Sequence, residues 1–112
     1  MSKKVVFISL PMSGYEDDVI DKNITNAELE YFARFGYSHD EVSFVYDFDT
    51  TLPDDLKEDM REGREGVYFL AFALAILPHC DEVFFYGNWQ EARECLIEHE
   101  VCEKYGIPYV EV

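Results

Sequence analysis

KKVVFISL, residues 3–10, is the stretch that decides the fold. Its apolar residues follow one another without polar alternation, which is typical of a strand buried on both faces of a parallel sheet. Pro11 and Gly14 break the run directly afterwards. Three further stretches predict strands two to four: EVSFVYDF (41–48), DEVFFYGN (81–88) and IPYVEV (107–112).

Helical patterns separate these strands. The first helix has Asp17 and Asp18 in its first turn and ends at Gly36. Its buried face is predicted from apolar residues spaced four, three and four apart: Ile20, Ile24, Ala27 and Tyr31. Further helices are predicted within the acidic segment 49–63, over the apolar segment 67–77 ended by Pro78, and over 91–105 ended by Gly106. The order β-α-β-α-α-β-α-β predicts one α/β domain, residues 1–112, with a parallel sheet and helices on both faces.

The helix over 67–77, VYFLAFALAIL, is apolar on every side. Such a helix must be covered all round, and a domain of this size rarely buries one helix completely by itself. We therefore expect part of this helix to lie in a subunit interface.

Bulk composition limits the classes of partner. The formal net charge of −15 would repel a phosphate polymer, so we expect no nucleic-acid partner, although a small anion could still bind at a helix start. No apolar run reaches transmembrane length and no secretory signal pattern is present, so we expect no membrane partner. Three cysteines, an odd number, fit reduced thiols in a cytoplasmic protein.

Candidate catalytic carboxylates lie beyond the predicted strand ends, where sites in parallel sheets are found. Glu98 is about two turns into the last predicted helix, and a carboxylate there could attack a sugar anomeric carbon. The alternative is an ordinary solvated glutamate. Asp49 follows strand two and could line the same cleft, although its acidic segment also fits a solvated, helix-capping stretch.

Candidate binding residues follow strands one and three. Ser13 and Gly14 could hold a phosphate or a ribose hydroxyl through backbone N–H groups, and a plain turn is the alternative. Trp89, beside Asn88, could stack on a base or could close the end of the core. Met12 is a further candidate for contact with the base.

A metal site is the third possibility. Cys95, His99 and Cys102 are spaced four and then three apart, so they share one helix face and could be metal ligands. Three ligands from one helix do not match the usual paired Cys-x-x-Cys pattern, and buried thiols are the alternative. We therefore predict no metal and no other cofactor.

The chain resembles a family of small bacterial and phage proteins described as nucleoside 2-deoxyribosyltransferase-like. The resemblance rests on three stretches covering about 40% of the chain: KKVVFISLPMSG (3–14), HCDEVFFYGNWQEARECLIEHE (79–100) and KYGIPYV (104–110). It implies a Rossmann-like, flavodoxin-like sheet, a homodimer or larger homo-oligomer whose neighbouring subunits help close each site, and a small-molecule nucleoside or nucleotide as substrate. In the related transferases and hydrolases, a Gly-small-x-x-Glu motif carries the glutamate that attacks the sugar, which here implies Glu98.

Two positions depart from that motif. Glu94 stands in place of its glycine and is followed by Cys95 at the small position, so we expect both beside the substrate. The aspartate that these enzymes carry before strand three falls near Ala73, which leaves Asp49 as the candidate acid for the leaving base. The resemblance thus predicts N-glycosidic cleavage or deoxyribosyl transfer, and the departures keep open a non-catalytic nucleotide-binding or protein-interaction module.

Overall fold

A four-stranded parallel sheet forms the centre of the protein. The computed structural model describes residues 3–11, 15–45 and 65–111. The strands are β1 (Lys4–Ser9), β2 (Val42–Val45), β3 (Glu82–Phe85) and β4 (Tyr109–Glu111), in the order β2-β1-β3-β4. All three pairings are parallel. The predicted α/β, Rossmann-like sheet is confirmed, with β1 and β3 at its centre.

Helices cover both faces of this sheet. The described helices are α1 (Asp17–Phe35), α2 (Glu65–Ile76) and α3 (Arg93–Tyr105), with 3-10 turns at Leu77–His79 and Trp89–Glu91. Val6 and Ile8 of β1 pack into one core cluster with α1, and Phe7 packs into a second cluster with α2 and α3. The unbroken apolar run of β1 therefore serves two cores, one on each face. None of the described helices is long and apolar enough to cross a membrane.

The predicted first helix is confirmed at both ends. Asp17 and Asp18 lie in its first turn, and Ile24, Ala27 and Tyr31 are its buried residues. Gly36 follows the helix with φ 75°, a left-handed conformation that glycine adopts without a Cβ clash. The predicted acidic helix within 49–63 lies outside the described residues.

Among the described side chains of the apolar helix α2, one side is buried and another is exposed. Ala73 is fully buried, whereas Val67 is 66% exposed and Ala71 and Ala75 are also exposed. These exposed residues are spaced four apart and form one stripe along the helix. The described part of the chain leaves these three residues exposed, and the burial of this helix in a subunit interface stays a prediction.

Helix α3 begins later than predicted. Residues 89–91 form a 3-10 turn, Ala92 has extended backbone at φ −102° and ψ 125°, and the helix starts at Arg93 instead of Glu91. The acidic residue of its first turn is therefore Glu94. The predicted end is correct, since Gly106 follows with φ 72°.

A polar network joins the amino ends of β1 and β3. Lys4 Nζ lies 3.3 Å from Glu82 Oε1, and the hydroxyl of buried Tyr31 donates to the same oxygen at 2.7 Å. Burial alone would lower the pKa of Lys4, but its hydrogen bond with Tyr31 and the charge of Glu82 outweigh burial and raise that pKa above its ordinary value. Burial, followed by the hydrogen bond to Glu82, raises the pKa of Tyr31 to about 12.

The Tyr31→Phe variant tests this network. Tyr31 has its pKa raised on folding, so its hydroxyl contributes fully below pH 10 and loses that contribution as the pH rises toward 12. We expect the variant to be less stable by about 1.5 kcal/mol at pH 7, as for a hydrogen bond to a charged group. Urea unfolding should show a smaller difference in the free energy of unfolding between the wild type and Tyr31→Phe at pH 11 than at pH 7. Tyr105 is 79% exposed, so Tyr105→Phe is the matched control and should leave the free energy of unfolding unchanged at both pH values.

Candidate active site

A buried carboxylate lies at the carboxyl end of the central strand. Ser9 is the last residue of β1, and its hydroxyl donates to Glu98 Oε1 at 2.5 Å. Ser9 is 2% exposed and Glu98 is 3% exposed. Glu98 therefore is not an ordinary solvated glutamate.

The helix places Glu98 there because of its residue spacing. The buried residues of α3 are Cys95, Glu98 and Cys102, spaced three and four apart, so they form one stripe facing the sheet. Burying a carboxylate is unfavourable unless hydrogen bonds compensate for lost water, and Ser9 supplies one. Burial, and after it the charge of Glu98, raises the pKa of the Cys102 thiol to about 11. Cys102 is therefore a protonated, unreactive thiol at neutral pH.

An open cleft of about 170 Å³ lies beside this end of the sheet. The segments that follow β1 and β3, the connection before α1 and the second turn of α1 supply its described lining: Leu10, Pro11, Tyr15, Asn23, Tyr86, Gly87 and Asn88. None of these lining residues carries a charge, although the chain as a whole is strongly acidic. The cleft thus offers aromatic rings and side-chain amides to a ligand, and it contains the predicted binding residue Asn88.

Sequence reasoning missed Tyr15, Asn23 and Tyr86. Asn23 lies four residues before Ala27, on the same side of α1, so a polar residue beside the predicted buried stripe was the available signal. Tyr86 directly follows β3, at the edge where sites were expected. No comparable signal marks Tyr15, which lies in the connection between β1 and α1.

The cleft and the buried carboxylate lie on different sides of β1. Leu10 belongs to the core cluster on the α1 side and lines the cleft, whereas the adjacent Ser9 turns toward α3. The backbone N–H of Tyr86 donates to the carbonyl of Ser9 at 3.0 Å and joins the two strand ends between them. Neither Ser9 nor Glu98 is among the residues that line the cleft.

The structure places Trp89 in the core. It is 6% exposed, lies 5.1 Å from the ring of Phe85 and stacks on His99 at 4.7 Å between centroids. This arrangement favours the alternative in which Trp89 closes the end of the core. Cys95 is likewise buried in this core, and the side chain of Glu94 is 20% exposed, 3.9 Å from Arg93.

The candidate metal ligands on α3 do not converge. Both ring nitrogens of His99 lie against carboxylates, Nδ1 at 2.9 Å from Glu103 and Nε2 at 2.5 Å from Glu111. Across residues 3–11, 15–45 and 65–111, no group of three His, Cys, Asp or Glu side chains is arranged to hold a metal ion. The remaining predicted site residues lie outside the described residues: Met12, Ser13, Gly14 and Asp49.

Comparisons with known proteins found no match to this chain among family models, curated proteins or solved structures.

The Ser9→Ala variant tests whether the hydroxyl supports the buried carboxylate. Its removal deletes a buried, charge-assisted hydrogen bond, so we expect a loss of about 1.5–3 kcal/mol in the free energy of unfolding at pH 7. Ser38→Ala is the matched control, because Ser38 donates to Glu41 at 3.0 Å on the exposed surface. Urea denaturation of both variants measures the contrast, and equal losses would show that the buried bond has no special weight.

Proposed function

We propose that the protein cleaves the N-glycosidic bond of a nucleoside or nucleotide, or transfers its deoxyribosyl group, with Glu98 as nucleophile. The observation that carries this proposal is the buried carboxylate held by Ser9 at the carboxyl end of the central strand. Carboxyl ends of parallel strands, next to the point where the strand order reverses, are where such sheets bind ligands. In the order β2-β1-β3-β4 that point lies between β1 and β3.

The chemistry needs an ionised carboxylate. A Glu98 oxygen forms a bond to C1′ while the C1′–N bond breaks, and the base leaves with the bonding electrons and takes up a proton. Water or a second base then opens the glycosyl ester and frees Glu98. The hydroxyl of Ser9 donates a hydrogen bond to the Glu98 carboxyl group and fixes its orientation, which is what a nucleophile requires. Asp49 is our candidate for the acid that protonates the base.

The described lining of the cleft carries no charge and suits the base of the substrate. Tyr15 and Tyr86 supply aromatic surface, and Asn23 and Asn88 supply donors and acceptors for a heterocycle edge. Met12 is our candidate for a further contact with the base, and Ser13 and Gly14 for the contact with the sugar or phosphate. No cofactor is required by this reaction.

We also propose a homo-oligomer. The exposed stripe of α2 carries no charge, so a second copy could cover it without bringing acidic side chains together.

We place the protein in the cytoplasm, which is supported by three cysteines of which none is in a disulfide.

A non-catalytic binding module is the second candidate. It is favoured by the position of Glu98, which is 3% exposed and does not line the cleft. Glu94 also stands where the transferase motif has glycine. A ligand could then occupy the cleft without meeting the carboxylate.

Release of free base from a panel of nucleosides and nucleotides tests the enzyme proposal. We expect the wild type to release base from at least one member of the panel and Glu98→Gln to lose the activity by about 10³-fold or more. Glu100→Gln, an equal charge change at an exposed position of the same helix, should keep it. A folded Glu98→Gln variant with wild-type turnover would contradict the role of Glu98.

Thermal shift with the same panel separates the two candidates. A ligand at 100 times its Kd should stabilise the protein by about 2.7 kcal/mol, and Asn88→Ala should reduce that gain. Stabilisation without release of base from any panel member would favour the binding module. The absence of both effects would contradict both candidates.

A further inference from the structure

The cleft beside the carboxyl edge of the sheet presents aromatic rings and amide groups. Tyr15 is 47% exposed, and Tyr86 is half-buried with its ring 5.8 Å from the ring of Phe84, which anchors it to the core. Asn23 and Asn88 can each turn a side-chain carbonyl oxygen toward a ligand. The faces of tyrosine rings and carbonyl oxygens both carry negative potential, so the described lining favours a positively charged ligand over a negatively charged one.

The two segments that follow β1 and β3 contain no cation. Residues 10–15 and 86–90 have no charged side chain in the sequence. Arg93, the first basic residue after the second segment, lies 3.9 Å from Glu94. Proteins hold phosphate groups chiefly through arginine and lysine, and neither segment supplies one. The cleft therefore suits a ligand without a phosphate group.

The start of α1 adds negative charge between two residues of the lining. Between Tyr15 and Asn23 the chain carries four carboxylates and one ammonium group, all on exposed residues: Glu16, Asp17, Asp18, Asp21 and Lys22. The amino end of a helix attracts anions, but acidic side chains already occupy the first turn of α1, where Asp18 Oδ1 accepts the N–H of Val19 at 2.9 Å. An anionic ligand at this helix start would be repelled, and a cation would be attracted.

We propose that the cleft binds a positively charged heterocycle, and that the substrate is an N-glycoside whose base carries this charge, such as a pyridinium or an N-alkylated purine. The ring faces of Tyr15 and Tyr86 would attract the charged ring, and the acidic start of α1 would raise its local concentration. The assignment of this ligand as a substrate rests on the function proposed above, whereas the preference for a cation rests on the cleft alone.

A cationic base changes the reaction in one respect. As a carboxylate oxygen of Glu98 bonds to C1′, the C1′–N bond breaks and its electron pair neutralises the ring nitrogen, so the base leaves without taking up a proton. Water then cleaves the glycosyl ester, which yields the free sugar and one proton and restores the carboxylate. Such a substrate needs no general acid, and no acidic side chain is among the described lining of the cleft.

Matched pyridine probes test the preference for a cation without any turnover. The cation 1-methylnicotinamide and neutral nicotinamide share one ring and one amide, and nicotinate carries a negative charge instead. At low ionic strength we expect the Kd from isothermal titration calorimetry to be about tenfold lower for 1-methylnicotinamide than for nicotinamide, as for a cation over aromatic rings. Nicotinate should bind more weakly than nicotinamide. Equal or weaker binding of the cation would overturn the proposal.

The Tyr15→Leu variant tests whether the cation binds in the cleft. Tyr15 is exposed, so its replacement leaves the core in place and removes one ring face from the lining. We expect the ratio of the two Kd values to fall to about threefold or less. Tyr105→Leu, at the exposed last residue of α3, should keep the wild-type ratio. An equal ratio in the two variants would show that net charge alone attracts the cation, and would overturn the proposal.

Release of base separates this inference from the proposed function. We expect kcat/KM for pyridinium ribosides and 2′-deoxyribosides to exceed that for nucleosides with a neutral base by at least about tenfold, and Glu98→Gln to remove this difference. Release from neutral nucleosides without the expected Kd ratio would support the proposed function and overturn the preference for a cation. The expected Kd ratio without release from any glycoside would support that preference and contradict the proposed enzyme function.

Discussion

The burial of β1 on both faces is the constraint on which the rest of the structure depends. A strand with apolar side chains on both sides needs a helix layer above and below the sheet, and right-handed parallel connections supply these layers. Val6 and Ile8 contact the layer of α1, and Phe7 contacts the layer of α2 and α3. Ser9 is the next residue facing α3, at the point where the strand ends. The alternation that builds the two cores therefore also directs the first hydroxyl of the strand toward Glu98.

Glu98 breaks the local rule that the buried stripe of a helix is apolar. Its neighbours on that stripe, Cys95 and Cys102, are small and buried, and an apolar residue at position 98 would avoid the desolvation of a carboxylate. Departures of this kind, in an otherwise consistent fold, concentrate at functional sites. The structure compensates with a short hydrogen bond from Ser9, which holds the carboxylate in one orientation. A buried charge is rarely the most stable choice, and this is the physical reason for which we propose a chemical role for Glu98.

The architecture could be predicted from the sequence because each helix or strand has a recognisable apolar spacing and a residue that terminates it. The unbroken run of β1, the spacing of Ile24, Ala27 and Tyr31, and the glycine after α1 all depend on local rules. The position of Glu98 about two turns into the last helix also predicted that this residue lies at the carboxyl edge of the sheet. The sequence could not show on which side of β1 Glu98 lies relative to the cleft. Ser9 and Leu10 are adjacent and point to opposite sides of the strand, so Ser9 contacts Glu98 whereas Leu10 lines the cleft. Nor could it place Trp89, since a tryptophan after a strand fits a binding loop and a core equally well, and only the tertiary contact with His99 decides between them.

The few cations of this acidic chain are not used alike. The chain has nine lysines and arginines and 24 aspartates and glutamates. Because carboxylates outnumber cations, the position of each cation decides which elements an ion pair joins. Arg34 with Glu30 and Lys104 with Glu100 are pairs within one helix at exposed positions, where an ion pair contributes little. Lys4 instead joins β1 to β3 at the amino edge through Glu82, beside a buried tyrosine. At the opposite edge His99 lies between Glu103 of α3 and Glu111 of β4, so this side chain also contacts two elements. The net negative charge of the chain destabilises its compact state through repulsion between acidic groups. A cation between two elements opposes this repulsion where it would drive the elements apart, whereas a cation paired within one helix does not.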